Sequence, residues 1–249
     1  MTFLVLSDVH GNRFGLEAAL ESARGEYSQV LCLGDVVGYG AHPNECCEIL
    51  RAANALCLLG NHDAAALGKI SIEWFNPVAT AAILWTREQL SAENRAWLET
   101  LSPLLTDEIA GFQAVHASLR QPIEEYILDP QTAQPTFSLM TQPLCFYGHT
   151  HVAEVYRQMV QPGTRYEMQH AAMTFGGEVQ MESGWQYLVN PGSCGQPRDG
   201  NAQARYSIFK AETRNIEVFA IDYDWRAAAQ AVFDAGLPRV LGERLGQGQ

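Results

Sequence analysis

The first sixty residues repeat one pattern, and it constrains the fold more than any other feature of the chain. An apolar, strand-like run is followed by a short polar cluster and then by a segment of helical spacing. Thr2 to Ser7 is apolar and rich in strand formers, and Arg13 to Ala23 carries Leu16, Ala19, Leu20 and Ala23 at helical intervals. Gln29 to Leu33 is again strand-like, Pro43 to Ala53 helix-like with proline near its start, and Ala55 to Leu59 strand-like. Strand, helix, strand, helix, strand with short connections predicts a parallel α/β unit.

The remainder is more varied. Ala64 to Thr100 has helical spacing in two segments that divide near Ser91, which offers a cap for the second. Short strands are expected around Gly111 to His116 and Leu144 to Tyr147, with a Pro- and Gln-rich surface loop, Gln121 to Pro143, between them. Val152 to Val189 alternates polar and apolar residues around Gly163, Gly176-Gly177 and Gly184, as antiparallel hairpins do. Arg205 to Lys210 and Asn215 to Ile221 read as a last hairpin, Trp225 to Asp234 as a helix, and the glycine-rich tail beyond about Pro238 as loosely ordered. No repeat or linker interrupts this, so residues 1–249 read as one domain.

Composition excludes several functions. The chain is 47% apolar and 18% charged, and 249 residues can bury a core without disulfides. No run approaches the roughly 18 apolar residues of a membrane helix. The start, which reaches Asp8 early and lacks a basic segment, does not read as a secretory signal. Cys32, Cys46, Cys47, Cys57, Cys145 and Cys194 form no C-x-x-C pair, which suits reduced thiols and a cytoplasmic setting. With 28 acidic against 16 basic residues the net charge is -12, a balance that repels long nucleic acid. Carboxylates can, however, gather cations that reverse the local field toward phosphate.

The chemistry is concentrated in five clusters, each directly after a strand-like run: Ser7-Asp8-Val9-His10, Gly34-Asp35, Gly60-Asn61-His62-Asp63, Val115-His116 and Gly148-His149-Thr150-His151. Five of the seven histidines fall within them. Ligands of open α/β sheets bind at the carboxyl ends of strands, so these clusters are expected to meet in one crevice. Carboxylate, amide and imidazole donors without thiolate suit borderline divalent ions such as Mn, Fe, Zn, Co or Ni, and argue against a structural zinc site. Two such ions about 3.5–4 Å apart can clamp both the attacking and leaving oxygens of a displacement.

The order D-x-H, G-D, G-N-H-D, H, G-H-x-H resembles the calcineurin-like metallophosphoesterase superfamily. Gly34-Asp35-Val36-Val37-Gly38-Tyr39-Gly40 and Asn190-Pro191-Gly192-Ser193 are similar to its small bacterial and archaeal phosphodiesterases. The resemblance implies a four-layer α/β/β/α sandwich of two mixed sheets with helices outside. It implies two divalent ions, manganese favoured. Asp8, His10 and His151 would hold one, Asn61, His116 and His149 the other, and Asp35 would bridge them. Water activated between the ions would attack phosphorus in line, with His62 assisting the leaving oxygen and Asp63 either orienting His62 or capping a helix. The expected substrate is a small phosphate ester, with a diester favoured. A dinucleoside polyphosphate hydrolase, a protein phosphatase and a non-catalytic metal-binding scaffold are the alternatives.

Weaker candidates for substrate contact are Asn12, which could instead brace its loop, Tyr39, and Arg198, which could fork onto a phosphate. His42 and His170 read as ordinary histidines, and Trp74, Trp85 and Trp97 as packing residues of helical segments. Two departures bear on substrate. Gly38 and Tyr39 stand where serine/threonine phosphatases of the superfamily carry an Asp-Arg clamp. Ala117-Ser118-Leu119-Arg120-Gln121-Pro122 differs from the Gly-Ser-Pro-Arg-Asp-like loop of nearer relatives.

Overall fold

Strand β1 (Thr2–Leu6) is apolar on both faces because both faces are covered. The structure is a computed structural model that describes residues 1–160 and 168–249. β1 pairs in parallel with β2 (Gln29–Cys32), which pairs in parallel with β3 (Leu56–Cys57). On its other side β1 meets β11 (Ala204–Lys210) antiparallel, followed by β12 (Asn215–Ile221) and β9 (Gly177–Gln180). The first sheet is therefore mixed, in the order β3-β2-β1-β11-β12-β9.

The second sheet runs β4 (Leu104–Asp107), β5 (Phe112–Val115), β6 (Leu144–Phe146), β10 (Trp185–Pro191), β7 (Ala153–Met159), β8 (Met168–Ala172). Its central β5-β6-β10 pairings are parallel and its outer ones antiparallel. Phe3 and Val5 face the second sheet, where Phe3 meets Phe112 edge to face with ring centroids 5.1 Å apart. Leu4 and Leu6 face outward, onto α1 (Arg13–Ser22) and α2 (Pro43–Ala52) through Leu16, Ala19, Cys46, Cys47 and Leu50. α6 (Pro130–Leu139) covers the outside of the second sheet with Ala133 and Phe137. The layers are helix, sheet, sheet, helix, as expected.

The stretch expected to hold two helical segments holds three, α3 (Asn61–Leu67), α4 (Pro77–Gln89) and α5 (Ala92–Glu99), with residues 68–76 outside any helix, and Ser91 caps α5 by accepting the Asn94 N–H. α7 (Trp225–Asp234) matches its expected span.

Three expectations change. The stretch Gln121 to Pro143 contains α6, whose start is fixed by Asp129 accepting the Thr132 N–H and by Pro130 in the first turn; internal Pro135 hid the pattern. The run Val152 to Val189 is not one series of hairpins. β7 and β8 pair, but β9 crosses to the other sheet, and the part around Gly163 lies outside the described residues. The tail beyond Pro238 is ordered as α8 (Arg239–Glu243) and a 3-10 turn (Arg244–Gln247). Leu237, Leu241 and Leu245, four residues apart, are buried against α7 and Tyr39. Gly242 makes this fit possible, since a Cβ there would lie 2.6 Å from the Phe233 ring.

No helix is long and apolar enough to cross a membrane among the described residues. Phe112 is fully buried between the sheets. Phe112→Ala should lower unfolding free energy by about 3–5 kcal/mol, read from urea denaturation midpoints at constant slope.

Candidate metal centre

The first two parallel strands deliver their polar ends together. Beyond β1 and β2 the loops stay joined: the Asp8 N–H donates to the Gly34 carbonyl at 3.2 Å, and the His10 N–H to the Asp35 carbonyl at 2.8 Å. The chain turns sharply at these points. Asp8, His10, Asp35, Tyr39, His149 and His151 all have positive φ, between 49° and 67°. Non-glycine residues rarely adopt this conformation, and such strain persists only where surrounding structure enforces it. Here the enforcement is visible. Ser193 Oγ donates to the Asp8 carbonyl at 2.8 Å, and Asn190 Nδ2 to the Gly148 carbonyl at 3.0 Å and to Thr150 Oγ1 at 2.9 Å. The Asn190-Pro191-Gly192-Ser193 segment, read from sequence only as a family marker, is thus a brace for two strand-end loops.

The seven expected donors converge. His10 Nε2 and His151 Nε2 face each other at 3.1 Å, and His151 Nε2 lies 3.5 Å from Asp8 Oδ1. His116 Nε2 lies 3.2 Å from both Asn61 Oδ1 and His149 Nδ1. Asp35 stands between the two groups, its Oδ2 3.5 Å from His10 Nε2 and 3.5 Å from His116 Nε2. Asp8, His10 and His151 form one set that could hold a cation, and Asp35, His116 and His149 another.

The outer nitrogens fix which edge of each ring faces inward. His10, His116 and His151 donate from Nδ1 to the carbonyls of Val37, Leu33 and Gln196 at 3.3, 3.0 and 2.6 Å. A carbonyl can only accept, so each Nδ1 carries the proton and each Nε2 turns a lone pair inward. Lone pairs and carboxylates this close repel one another unless something positive lies between them. The donor set therefore fits divalent cations on geometry and on charge.

Electrostatics agree. Burial lifts the Asp8 carboxyl to about 6, the Asp35 charge adding to the effect and that of His116 opposing it. Burial also raises Asp35 and Asp63 above the usual carboxylate range. It pushes His10, His62, His149 and His151 well below the ordinary imidazole value, and His116 below it.

His62 opens α3 and packs edge-on against His10 and Phe75, with Tyr39 at 4.3 Å between ring centroids. Its buried Nδ1 has no hydrogen-bond partner among the described residues. Gly38, at φ +96°, makes room for the ring: a Cβ there would lie 2.6 Å from that nitrogen. Asp63 does not orient His62. Its oxygens accept the Val37 N–H at 3.0 Å and the Gly60 N–H at 3.1 Å, so it caps α3 and ties two loops together.

Asn12 also departs from the expected substrate contact. Its Oδ1 accepts the Gly15 N–H and its Nδ2 donates to the Gly195 carbonyl at 2.7 Å, so both ends of the amide brace loops. Tyr39 and Arg198 do belong to the centre. They line one small compartment with Asp35, Asn61, His62, Tyr126, His149 and His151.

His42 packs edge-on against Phe14, and His170 pairs with Glu154 away from the centre. Trp85 and Trp97 pack in cores, whereas Trp74 is 91% exposed and lies outside the helices. Sequence reading missed Tyr126, whose ring covers His149 at 4.0 Å, and Arg244, which lies 4.5 Å over the Tyr39 ring. Neither sits in a strand-end cluster, so no local pattern marks them.

Protons should compete with folding when no metal is bound. Histidines kept neutral in the fold bind protons only in the unfolded chain as pH falls through about 6.5, so acidification favours unfolding. The raised aspartates act in the opposite sense, Asp8 below about 6, but five histidines outweigh them. The melting temperature of chelator-treated protein should therefore fall between pH 7 and pH 5, and calorimetry across that range measures it.

Residues 1–214 match the family model of the calcineurin-like phosphoesterase superfamily domain. An uncharacterized protein of Methanocaldococcus jannaschii is 36% identical over 245 residues, covering 97% of this chain and 96% of that one. A metallophosphoesterase from Sphaerobacter thermophilus has a similar crystal structure, with a TM-score of 0.86 and 37% identity over 100% of this chain and 99% of that one. A hypothetical protein from Pyrococcus horikoshii OT3 shares the fold at a TM-score of 0.79 and 20% identity, covering 100% of this chain and 98% of the other. Strand-end donors, sheet order and these matches agree: the chain belongs to the calcineurin-like phosphoesterase superfamily, a family of divalent-metal-dependent phosphoester hydrolases.

Proposed function

We propose that this protein hydrolyses small phosphodiesters with two divalent ions, one held by Asp8, His10 and His151, the other by Asn61, His116 and His149, with Asp35 shared. The observation that carries this reading is the position of Asp35 Oδ2, 3.5 Å from an inward-facing nitrogen of each group. One carboxylate oxygen equidistant from two donor sets suits a pair of ions better than two independent sites. Oxygen and imidazole donors without thiolate suit borderline divalent metals such as Mn, Fe, Zn, Co or Ni. Bound there, the ions would supply Lewis acidity toward phosphate oxygens and lower the pKa of water.

The protein's own part is positioning, water exclusion and one hydrogen bond. His62 is kept neutral by burial and then by the Arg198 charge, so it has one N–H to give. It lies at the boundary between the donor cluster and an open cavity of about 250 Å³ that it lines with Tyr39, Trp74, Phe75 and Tyr126. From that boundary an imidazole N–H can donate to a departing alkoxide as it gains charge. The cavity gives a leaving group room and aromatic surface, which supports a diester with a planar substituent. Six unpaired thiols support a reducing, cytoplasmic setting.

Two substitutions test the reading. His62→Ala should retain two equivalents of manganese by elemental analysis yet lower turnover of bis(p-nitrophenyl) phosphate by about 10²–10⁴-fold. Undiminished turnover would remove His62 from the reaction. Asp35→Asn should weaken both ions together, and loss of a single equivalent would refute the shared carboxylate.

A further inference from the structure

Arginines buried in protein interiors ordinarily have a carboxylate or several carbonyls around them. Arg205 follows that rule here. Its guanidinium is fully buried and pairs with Asp199 at 2.9 Å, and it donates further to the carbonyls of Gln203 and Thr174. Arg198 and Arg244, both half-buried, do not follow it at their buried nitrogens. Arg198 Nη2 donates to Gln196 Oε1 at 2.8 Å, but its Nε is buried with no partner among the described residues. Arg244 has Nε and Nη2 buried without an acceptor among those residues; its guanidinium meets the Tyr39 side chain, and neither arginine forms an ion pair with a described carboxylate.

Both guanidinium groups gather on one ring. Arg244 Cζ lies 4.5 Å from the Tyr39 centroid and Arg198 Cζ 5.7 Å from it. The same ring rests against His10 and His62. Cation–π contact offsets part of the burial cost but leaves two like charges side by side. Burial, and next the Arg198 charge, pull the Arg244 guanidinium down to about 10, with the Tyr39 side chain acting in the other direction.

The placement is constructed rather than incidental. Arg244 opens the final 3-10 turn, which is fixed by Leu241 and Leu245 in the packing of α7 and α8. Arg198 lies in the loop after β10, whose backbone donates to the His151 carbonyl at 3.2 Å. Arg198 thus lines the compartment of the metal centre, and Arg244, from a distant part of the chain, stacks on the Tyr39 ring that lines it too. In a protein of net charge -12, carboxylates were available to neutralise both arginines.

We propose that Arg198 and Arg244 form a receptor for an anionic group that the substrate carries beside the phosphate being cleaved. The inference rests on the phosphoesterase reading and narrows it to substrates bearing a second negative charge, such as oligophosphate esters. Paired guanidinium groups recognise phosphate or carboxylate oxygens by forked donation, which a lysine reproduces in charge but not in shape.

A pair of small probes tests this without turnover. Methylphosphonate carries one anionic group, and phosphonoacetate adds a carboxylate. Calorimetric titration of the manganese-loaded, full-length protein should show phosphonoacetate binding at least about tenfold tighter, the scale of one charge-assisted hydrogen-bonded contact. Arg244→Gln should compress that ratio to less than about threefold while methylphosphonate affinity holds, and Arg244→Lys should restore part of it. Arg198→Gln should compress it too, which keeps the test decisive if one variant fails to fold. An unchanged ratio in both folded glutamine variants, an equal loss for both probes, or no preference in the parent protein would overturn the proposal. Failure to hydrolyse any phosphodiester, with the ratio intact, would instead strike the reading of the reaction.

Discussion

The structure depends on holding seven nitrogen and oxygen donors closer together than they would choose to be. Two imidazole lone pairs at 3.1 Å with two carboxylates nearby, all buried, make an arrangement that is unfavourable by itself. It persists because five of the seven donors are fixed from behind. Backbone carbonyls orient three imidazoles, the His62 N–H holds Asp35 Oδ1 at 2.8 Å, and the His149 N–H is shared by both Asp8 oxygens at 3.2 Å. Six residues of the centre accept left-handed backbone to reach their places. The cost is borne by two well-packed sheets whose aromatic contacts leave the loops little freedom.

That arrangement explains why the metal donors were legible in the amino-acid sequence. A strand that ends in Asp-x-His or Gly-His-x-His states both the position and the chemistry locally, so the five clusters could be found without knowing how the strands pair. Parallel α/β order in the first sixty residues was legible for the same reason. The second half was less so. β9 contributes to the sheet opposite its chain neighbours, and nothing in Gly177–Gln180 announces that exchange. α6 was hidden by Pro135, although Asp129 and Thr132 give its start a reciprocal cap.

Roles that depend on three-dimensional company were the least accessible. Asp63 follows a histidine in sequence, which invites a dyad, yet its oxygens turn to the backbone of Val37 and Gly60. Asn12 beside Gly11 reads as a turn or a substrate contact and proves to be a double brace. Arg244 lies in a glycine-rich tail whose apolar stripe of Leu237, Leu241 and Leu245 is sparse, so the folding of that tail onto Tyr39 leaves almost no local trace. A complete donor set with His62 in place also speaks against the non-catalytic scaffold considered from sequence.

The pairing of β1 with β11 joins residues 2–5 to residues 207–210, and the brace on Asp8 comes from Ser193. During synthesis the earliest donors to leave the ribosome therefore remain without their supports until most of the chain has followed. Such long-range closure slows folding. It also keeps the donor cluster from assembling until the sandwich is nearly complete, so that part of the chain meets cations only as separate side chains until then.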